Sequence, residues 1–324
     1  VTVTTSAPAR GPGVRRGRAA AVLAVAVPVV LAAAPLFLAP FVTGTLSRVL
    51  VFALFAVSLD LLVGVTGLPS LGHAAYFGAG AYAAGWVSLR VTAEIPVPLL
   101  AGAAFGAVAA ALTGWITVRT GGVYFLMLTL AIGELVQQVA ETWETVTGGA
   151  NGMSGIPAPR LGGEPLVLAG FVYWYVLAGF GVGFALLWAV ARSPVGEALR
   201  GIRDNEPRMR ALGYPTARYK YLAFVASGGV AGLAGALLAA QQRLVTPADL
   251  GFVTAAFALL AVIIGGAGSL WGACLGAALV IVVRDALGPS LGGHGTLLLG
   301  ALFVVVVYLL PRGAAGLRLG RWGR

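Results

Sequence analysis

Residues 46–66 read LSRVLVFALFAVSLDLLVGVT, with Arg48 and Asp60 as the only charges. A helix of about 20 apolar residues crosses the hydrocarbon core of a bilayer, so this stretch predicts a membrane span. Nine further runs have the same character, over 19–42, 70–89, 97–118, 122–140, 165–191, 221–241, 253–267, 269–286 and 295–311. The third run in chain order, 70–89, is rich in glycine, and the eighth, 253–267, is short. Both predict interrupted or re-entrant segments, which a membrane tolerates where protein or a cavity covers the backbone.

The composition agrees. Of 324 residues, 59% are hydrophobic and 10% are charged. A soluble domain carries about 25% charged residues, and so few charges cannot build a surface facing water. The 48 glycines suit close helix contact and broken helices. The single cysteine, Cys274, can form no disulfide within the chain. The reading is an all-α integral membrane protein, a polytopic helix bundle of about ten spans with broken or re-entrant Gly-rich segments. A basic tail over 1–18 precedes a transmembrane domain over 19–312, and a second basic tail follows over 313–324. The apolar run after Arg18 is about 24 residues, longer than the 7–15 of a signal peptide, and predicts an uncleaved first span.

Charge sets the orientation. Fifteen of the 21 basic residues lie in the 192–220 loop and at the two ends, over 1–18 and 312–324. Each cluster abuts an apolar run, which is the positive-inside pattern and not a nucleic-acid-binding face. Six predicted spans precede that loop and four follow it, so all three clusters share one side. A multi-pass protein with cytoplasmic N- and C-termini follows. The opposite side holds the longest remaining loop, 141–164, with Glu141, Glu144 and Glu164.

The 192–220 loop contains SPVGEALRGIRDNEPRMRALGYPTARYK. Ser193 is a good N-cap and Pro194 suits the first helical position. Leu199 and Ile202 fall on one helical face. Arg200 with Asp204, and Arg203 with Glu206, are spaced for pairing. Pro207 predicts the end of this helix, and Gly213 with Pro215 the end of a second turn. A bare connection needs only about 2–8 residues, so a capped helix here predicts a docking element. Glu197, Ala198, Leu199, Arg200, Gly201, Ile202 and Arg203 are its candidate residues, with Leu199 and Ile202 expected to enter a groove on a partner.

No GxxxxGK[ST], HExxH, CxxC or GxSxG motif occurs, and the only histidines are His73 and His294. These absences argue against an enzyme, a metal site or a bound cofactor. Ionisable residues within spans are functional candidates. Asp60 and Glu134 qualify, and His73 follows the Pro-containing break in GLPSLGHAAYFGAGAYAAG. Asp60 is expected to bond the exposed backbone of a neighbouring broken helix, and Glu134 to reach water. Tyr76 and Phe77, beside that break, are expected to line a translocation route that Asp60 steadies.

Together, SLGHAAYFGAGAYAAG, GGVYFLMLTLAIGELVQQVAETWETVTGGANGMSGIP, SPVGEALRGIRDNE with RYKYLAFVASGGVAGLAGAL, GGAGSLWGACLGAAL and PRGAAGL resemble one family over about residues 45–317. It is the LivM-type permease subunits of bacterial branched-chain amino-acid ABC importers. Urea and short-amide permeases are close relatives, with a similar SLGH segment. A secondary transporter independent of any ATPase is the alternative from another class. The LivM-type resemblance implies a second, LivH-like permease, two ATPase subunits that carry out ATP hydrolysis, an extracytoplasmic binding protein, and the bacterial inner membrane. It also implies that the 192–220 loop is the ATPase-coupling loop. The family usually has a basic residue where this chain has Glu197.

Overall fold

The computed structural model describes residues 28–287 together with Gly300 and Val304. Pro40 opens the helix that organises it. Ala39 is extended and Pro40 has no N–H to satisfy at the helix start, so α2 (Pro40–Asp60) begins cleanly. It runs on into a π-helical turn over Leu61–Thr66, closed by Gly67 at φ 77°. From Leu50 to Thr66 nearly every residue is buried within the chain, and Asp60 is the only charge. A helix of that kind belongs at the centre of a bundle.

Ahead of it lies the short apolar α1 (Pro28–Phe37). After it come α3 (His73–Arg90), α4 (Val97–Thr117), α5 (Gly122–Thr142) and the single turn α6 (Glu144–Thr147). The chain continues through α7 (Ala169–Arg192), α8 (Pro194–Ala211), α9 (Thr216–Gln242), α10 (Phe252–Gly265) and α11 (Leu270–Ile281). A second π turn follows over Val282–Leu287. Among the described residues, five helices are long and apolar enough to cross a membrane: α2 with its π turn, α4, α5, α7 and α9.

Small residues set how closely the helices approach. A Cβ at Gly80 would strike the backbone of Gly232, and one at Gly235 would strike the Phe77 carbonyl. Here α3 and α9 touch backbone to backbone, as small-residue contacts permit within a membrane. The core is continuous from α2 into α7, α9, α10 and α11.

The two ends of the bundle differ. At one end α8 lies against the π turn after α2 and the last turn of α7. At the other end, residues 143–168 and 243–251 form a small cap. Met153–Ser154 pairs with Leu244–Val245, and Arg160–Leu161 with Glu164–Pro165. Arg160 also exchanges backbone hydrogen bonds with Ala93 and Ile95, at 2.9 and 3.0 Å. The 141–164 loop is therefore partly ordered by two-residue strands, which pure helical periodicity does not predict.

Four sequence expectations need correction. The second span starts at Pro40 and not near residue 46, because proline fixes the helix start. The third is unbroken from His73 to Arg90; the irregular stretch precedes it, over 67–72. The helix in the 192–220 loop turns at Asn205 (φ −160°, ψ 90°), two residues before Pro207. Asn205 Oδ1 accepts from Arg208 N–H at 3.0 Å and so caps the second half. The eighth span is short, as expected, but α10 is an unbroken 14-residue helix over Phe252–Gly265; the break before α11 at Leu270 falls where the eighth and ninth predicted spans meet. Apart from Gly300 and Val304, the predicted span over 295–311 lies outside the described residues, as do His294, both basic tails and residues 19–27.

Candidate functional site: the loop helix and the span residues

The start of α8 follows the sequence reading. Ser193 Oγ accepts from Gly196 N–H at 3.4 Å, and Pro194 takes the first helical position. Gly213 at φ 87° closes the far end, with Tyr214 N–H reaching Met209 O at 3.1 Å and Gly213 N–H reaching Arg210 O at 3.0 Å. That pair of bonds is a Schellman cap, which a left-handed glycine allows.

The faces of α8 are assigned by burial. Ala198, Leu199 and Ile202 are buried within this chain. The apolar stripe expected to enter a partner's groove therefore fastens α8 to its own bundle. Glu197 and Asp204 are exposed, with Arg200 and Gly201 intermediate between them. These four lie on the outward side. A Cβ at Gly201 would meet only the flexible Met209 side chain, with Sδ at 2.9 Å.

Three polar contacts tie α8 and the turn after it to span ends. Arg200 Nη1 donates to Ala191 O in the last turn of α7 at 2.8 Å. Arg203 Nη1 donates to Gly64 O in the π turn after α2. Glu206 reaches the start of α9: Lys220 Nζ lies 3.0 and 3.1 Å from its two oxygens, and Thr216 Oγ1 donates to it at 3.1 Å. The first two guanidinium groups satisfy carbonyls that a helix C-terminus leaves unpaired, at the negative end of its dipole. The pairs expected from spacing are replaced. Arg203 pairs with the adjacent Asp204 at 3.2 Å, and Glu206 with Arg210 at 3.0 Å. Partial burial pushes the Glu206 carboxyl up, but Lys220, Thr216 and Arg210 outweigh this and hold it below the ordinary carboxylate range.

Asp60 is buried at the end of α2, and its Oδ1 accepts from Gly268 N–H at 2.7 Å. Its partner is the backbone of a broken segment, as expected, but the segment is the α10–α11 break and not the stretch before α3. Its Oδ2 has no partner among the described residues.

His73 is the first residue of α3 and is fully buried. Its Nε2 lies 3.0 Å from Ser58 Oγ and 3.3 Å from Ser227 Oγ. Ser58 Oγ donates to Phe55 O and Ser227 Oγ to Ser58 O. Both hydroxyl protons are thus used on carbonyls, which leaves Nε2–H as the donor to them. The ring stacks on Phe55 at 5.7 Å, and Phe55 stacks on Phe77 at 4.5 Å. Tyr76 donates to or accepts from Thr113 Oγ1 at 2.7 Å and packs edge-on to Phe224. His73, Tyr76 and Phe77 are therefore brought together in the core. Glu134 is not among them; it is exposed on α5. Sequence reading missed Ser58, Ser227, Lys220 and Gly268. Lys220, the single lysine of the chain, was the strongest available signal.

An apolar groove of about 660 Å³ separates α3 and α4 from the later half of α5, between Tyr82, Trp86, Phe105, Val139 and Trp143.

The described residues form a bundle of apolar helices, capped at one end and strapped by a capped helix at the other, with five helices able to cross a membrane. The chain belongs to the family of permease components of branched-chain amino acid transport systems, which matches residues 41–308. It is 29% identical over 291 residues to the high-affinity branched-chain amino acid permease LivM of Escherichia coli, covering 82% of this chain and 67% of the relative. LivM of Salmonella typhimurium is 28% identical with the same coverage. LivH of Salmonella typhimurium is 30% identical over 147 residues, covering 45% of this chain and 46% of the relative. No solved structure matches the chain.

Proposed function

We propose that the chain is one of two permease subunits of an ATP-binding-cassette importer. It forms half of a translocation pathway for branched-chain amino acids delivered by an extracytoplasmic binding protein. A LivH-like permease supplies the other half, and two separate ATPase subunits hydrolyse ATP. The observation that carries this reading is α8: a capped helix fastened to the ends of three spans, with Glu197, Arg200, Gly201 and Asp204 turned outward. Such a helix passes any displacement by a docked ATPase directly to the spans.

The α8 end carries the most basic described loop, so it faces the cytoplasm. Ten spans place both termini on that side of the bacterial inner membrane. Glu134 on α5 borders the pathway. Asp60, His73, Tyr76 and Phe77 support it from inside the bundle.

The test is reconstitution with the sister permease, the ATPases and the binding protein in proteoliposomes. Leucine-loaded binding protein should drive ATP-dependent uptake that excess leucine inhibits and urea does not; urea inhibition would move the substrate class to the related urea permeases. Gly201→Glu places a carboxylate on the docking face. The variant should insert normally yet lose substrate-stimulated hydrolysis and uptake. Retention of both near the wild-type level would reduce α8 to a connector.

A further inference from the structure

The inward side of α8 carries one feature that burial alone does not explain. Leu199, Ile202 and Arg203 are spaced i, i+3, i+4, so Arg203 borders the buried stripe. Its side chain keeps 39% of its surface exposed, yet its guanidinium reaches across to another element. Nη1 donates to Gly64 O in the π turn, while Nε and Nη2 hold Asp204 at 3.2 Å.

Glycines shape the space it enters. A Cβ at Gly67 would meet the Arg203 stem, with Cβ at 3.3 Å. A Cβ at Gly268 would lie 3.6 Å from Arg203 Nη1 and 3.2 Å from Gly64 O. A Cβ at Gly64 would strike the Gly268 backbone. Gly67 and Gly268 have φ of 77° and 88°, a region that side chains other than glycine rarely adopt. On the far side of Gly268, its N–H is held by Asp60 Oδ1 at 2.7 Å. The order of contact is therefore α8, Arg203, Gly64 carbonyl, Gly268, Asp60. It leads from the cytoplasmic strap to the break between α10 and α11, two segments that have few other links to α8 among the described residues.

Resting on the importer reading above, we propose that Arg203 is a positioning residue that makes α8, the π turn of α2 and the α10–α11 break move as one unit during the transport cycle. Its planar fork suits this task. It binds a helix-end carbonyl with one arm while the rest of the group stays fixed to Asp204, which a point-charge ammonium does less well. The Gly64 carbonyl can accept this bond because a helix end leaves it free.

Arg203→Gln and Arg203→Lys test the assignment in the reconstituted complex. Arg203→Gln should still bring down both ATPases on purification, but uptake per ATP hydrolysed should fall about tenfold, within the range of ordinary coupling energies. Arg203→Lys should recover part of the loss. Unchanged uptake per ATP in Arg203→Gln overturns the proposal. A residue needed only for folding would lower the amount of complex and leave this ratio unchanged.

A second measurement applies to the otherwise unaltered chain. Spin labels at Arg208 and Ala267, both exposed, should keep their separation between nucleotide-free and ATP-trapped states. Separation that changes with nucleotide means that α8 moves apart from the break, and the assignment fails. Failure of the importer reading is distinct: no ATPase would accompany the wild-type chain and its sister permease.

Discussion

Asp60 shows what a single buried carboxylate does in this bundle. Its Oδ1 satisfies Gly268 N–H, a partly buried donor that has no helical partner in the break between α10 and α11. A buried donor left without a partner costs about 1–3 kcal/mol. Asparagine keeps an acceptor of the same reach, and leucine does not. Asp60→Asn should therefore purify as a monodisperse complex, while Asp60→Leu should aggregate or fall in yield by about tenfold, the equilibrium equivalent of about 1.4 kcal/mol. Size-exclusion chromatography after mild detergent extraction decides it. Identical profiles would show that the Gly268 contact is dispensable. The kind of partner was legible in the sequence, because a charge within an apolar span needs a local polar group. Which break it meets was not legible. Residues 60 and 268 are joined by folding, and the nearer glycine-rich stretch before His73 drew the reading instead.

Helix α8 divides in the same way at the scale of an element. Its cap at Ser193 and Pro194 depends on neighbours within one turn, so sequence shows it. Its stripe of Leu199 and Ile202 was visible as a stripe, but periodicity does not say whose apolar surface covers it. The chain covers it itself. Leu199→Asp should thus release α8 from the bundle, because a buried carboxylate without a partner costs several kcal/mol. Protease cleavage between 192 and 220 should become fast in that variant. A cleavage rate equal to wild type would place Leu199 at the partner interface after all.

Glu206 fastens the next turn, and its sign with pH is fixed. Its folded-state carboxyl lies below the ordinary 4.5. The stabilisation is complete above that value and is lost as pH falls through the lower folded value. The strap should loosen only in acid, below pH 4.5. Glu206→Gln removes the effect at every pH and leaves the Lys220 ammonium buried. The expected loss is about 1–3 kcal/mol, less than for a fully buried pair because Glu206 keeps part of its surface in water. The gap between the thermal midpoints of wild type and variant should be full at pH 7 and should narrow progressively as pH falls below 4.5. A gap that stays constant with pH would remove the ionic account.

For the whole molecule, hydropathy located the apolar helices because the bilayer demands one length and one composition. It did not locate the pathway, since a helix facing lipid and a helix facing a partner share that composition. A charge on an exposed face distinguishes them. On α5 the buried face holds Phe125, Thr129, Gly133 and Ala140. The opposite face presents Tyr124, Met127, Ala131, Glu134 and Gln138, all exposed. Glu134 lies near the middle of the 21-residue helix, and an ionised side chain at that depth in lipid costs about 3 kcal/mol or more. The face around Glu134 therefore meets water or protein, not acyl chains. By contrast Leu112 on α4 is 72% exposed on an apolar helix and suits lipid contact. In a Cys274→Ala background, cysteines at Glu134 and Gln138 should react with a membrane-impermeant thiol reagent in the assembled transporter. A cysteine at Leu112 should remain unmodified. ATP trapping should change the rates at 134 and 138, since a pathway that alternates between sides changes its access to water. Glu134→Gln should keep most uptake because it remains polar, whereas Glu134→Leu should lose it. Equal inertness at 134, 138 and 112 would mean that this face is sealed against protein throughout the cycle, and the pathway would have to be sought on another helix.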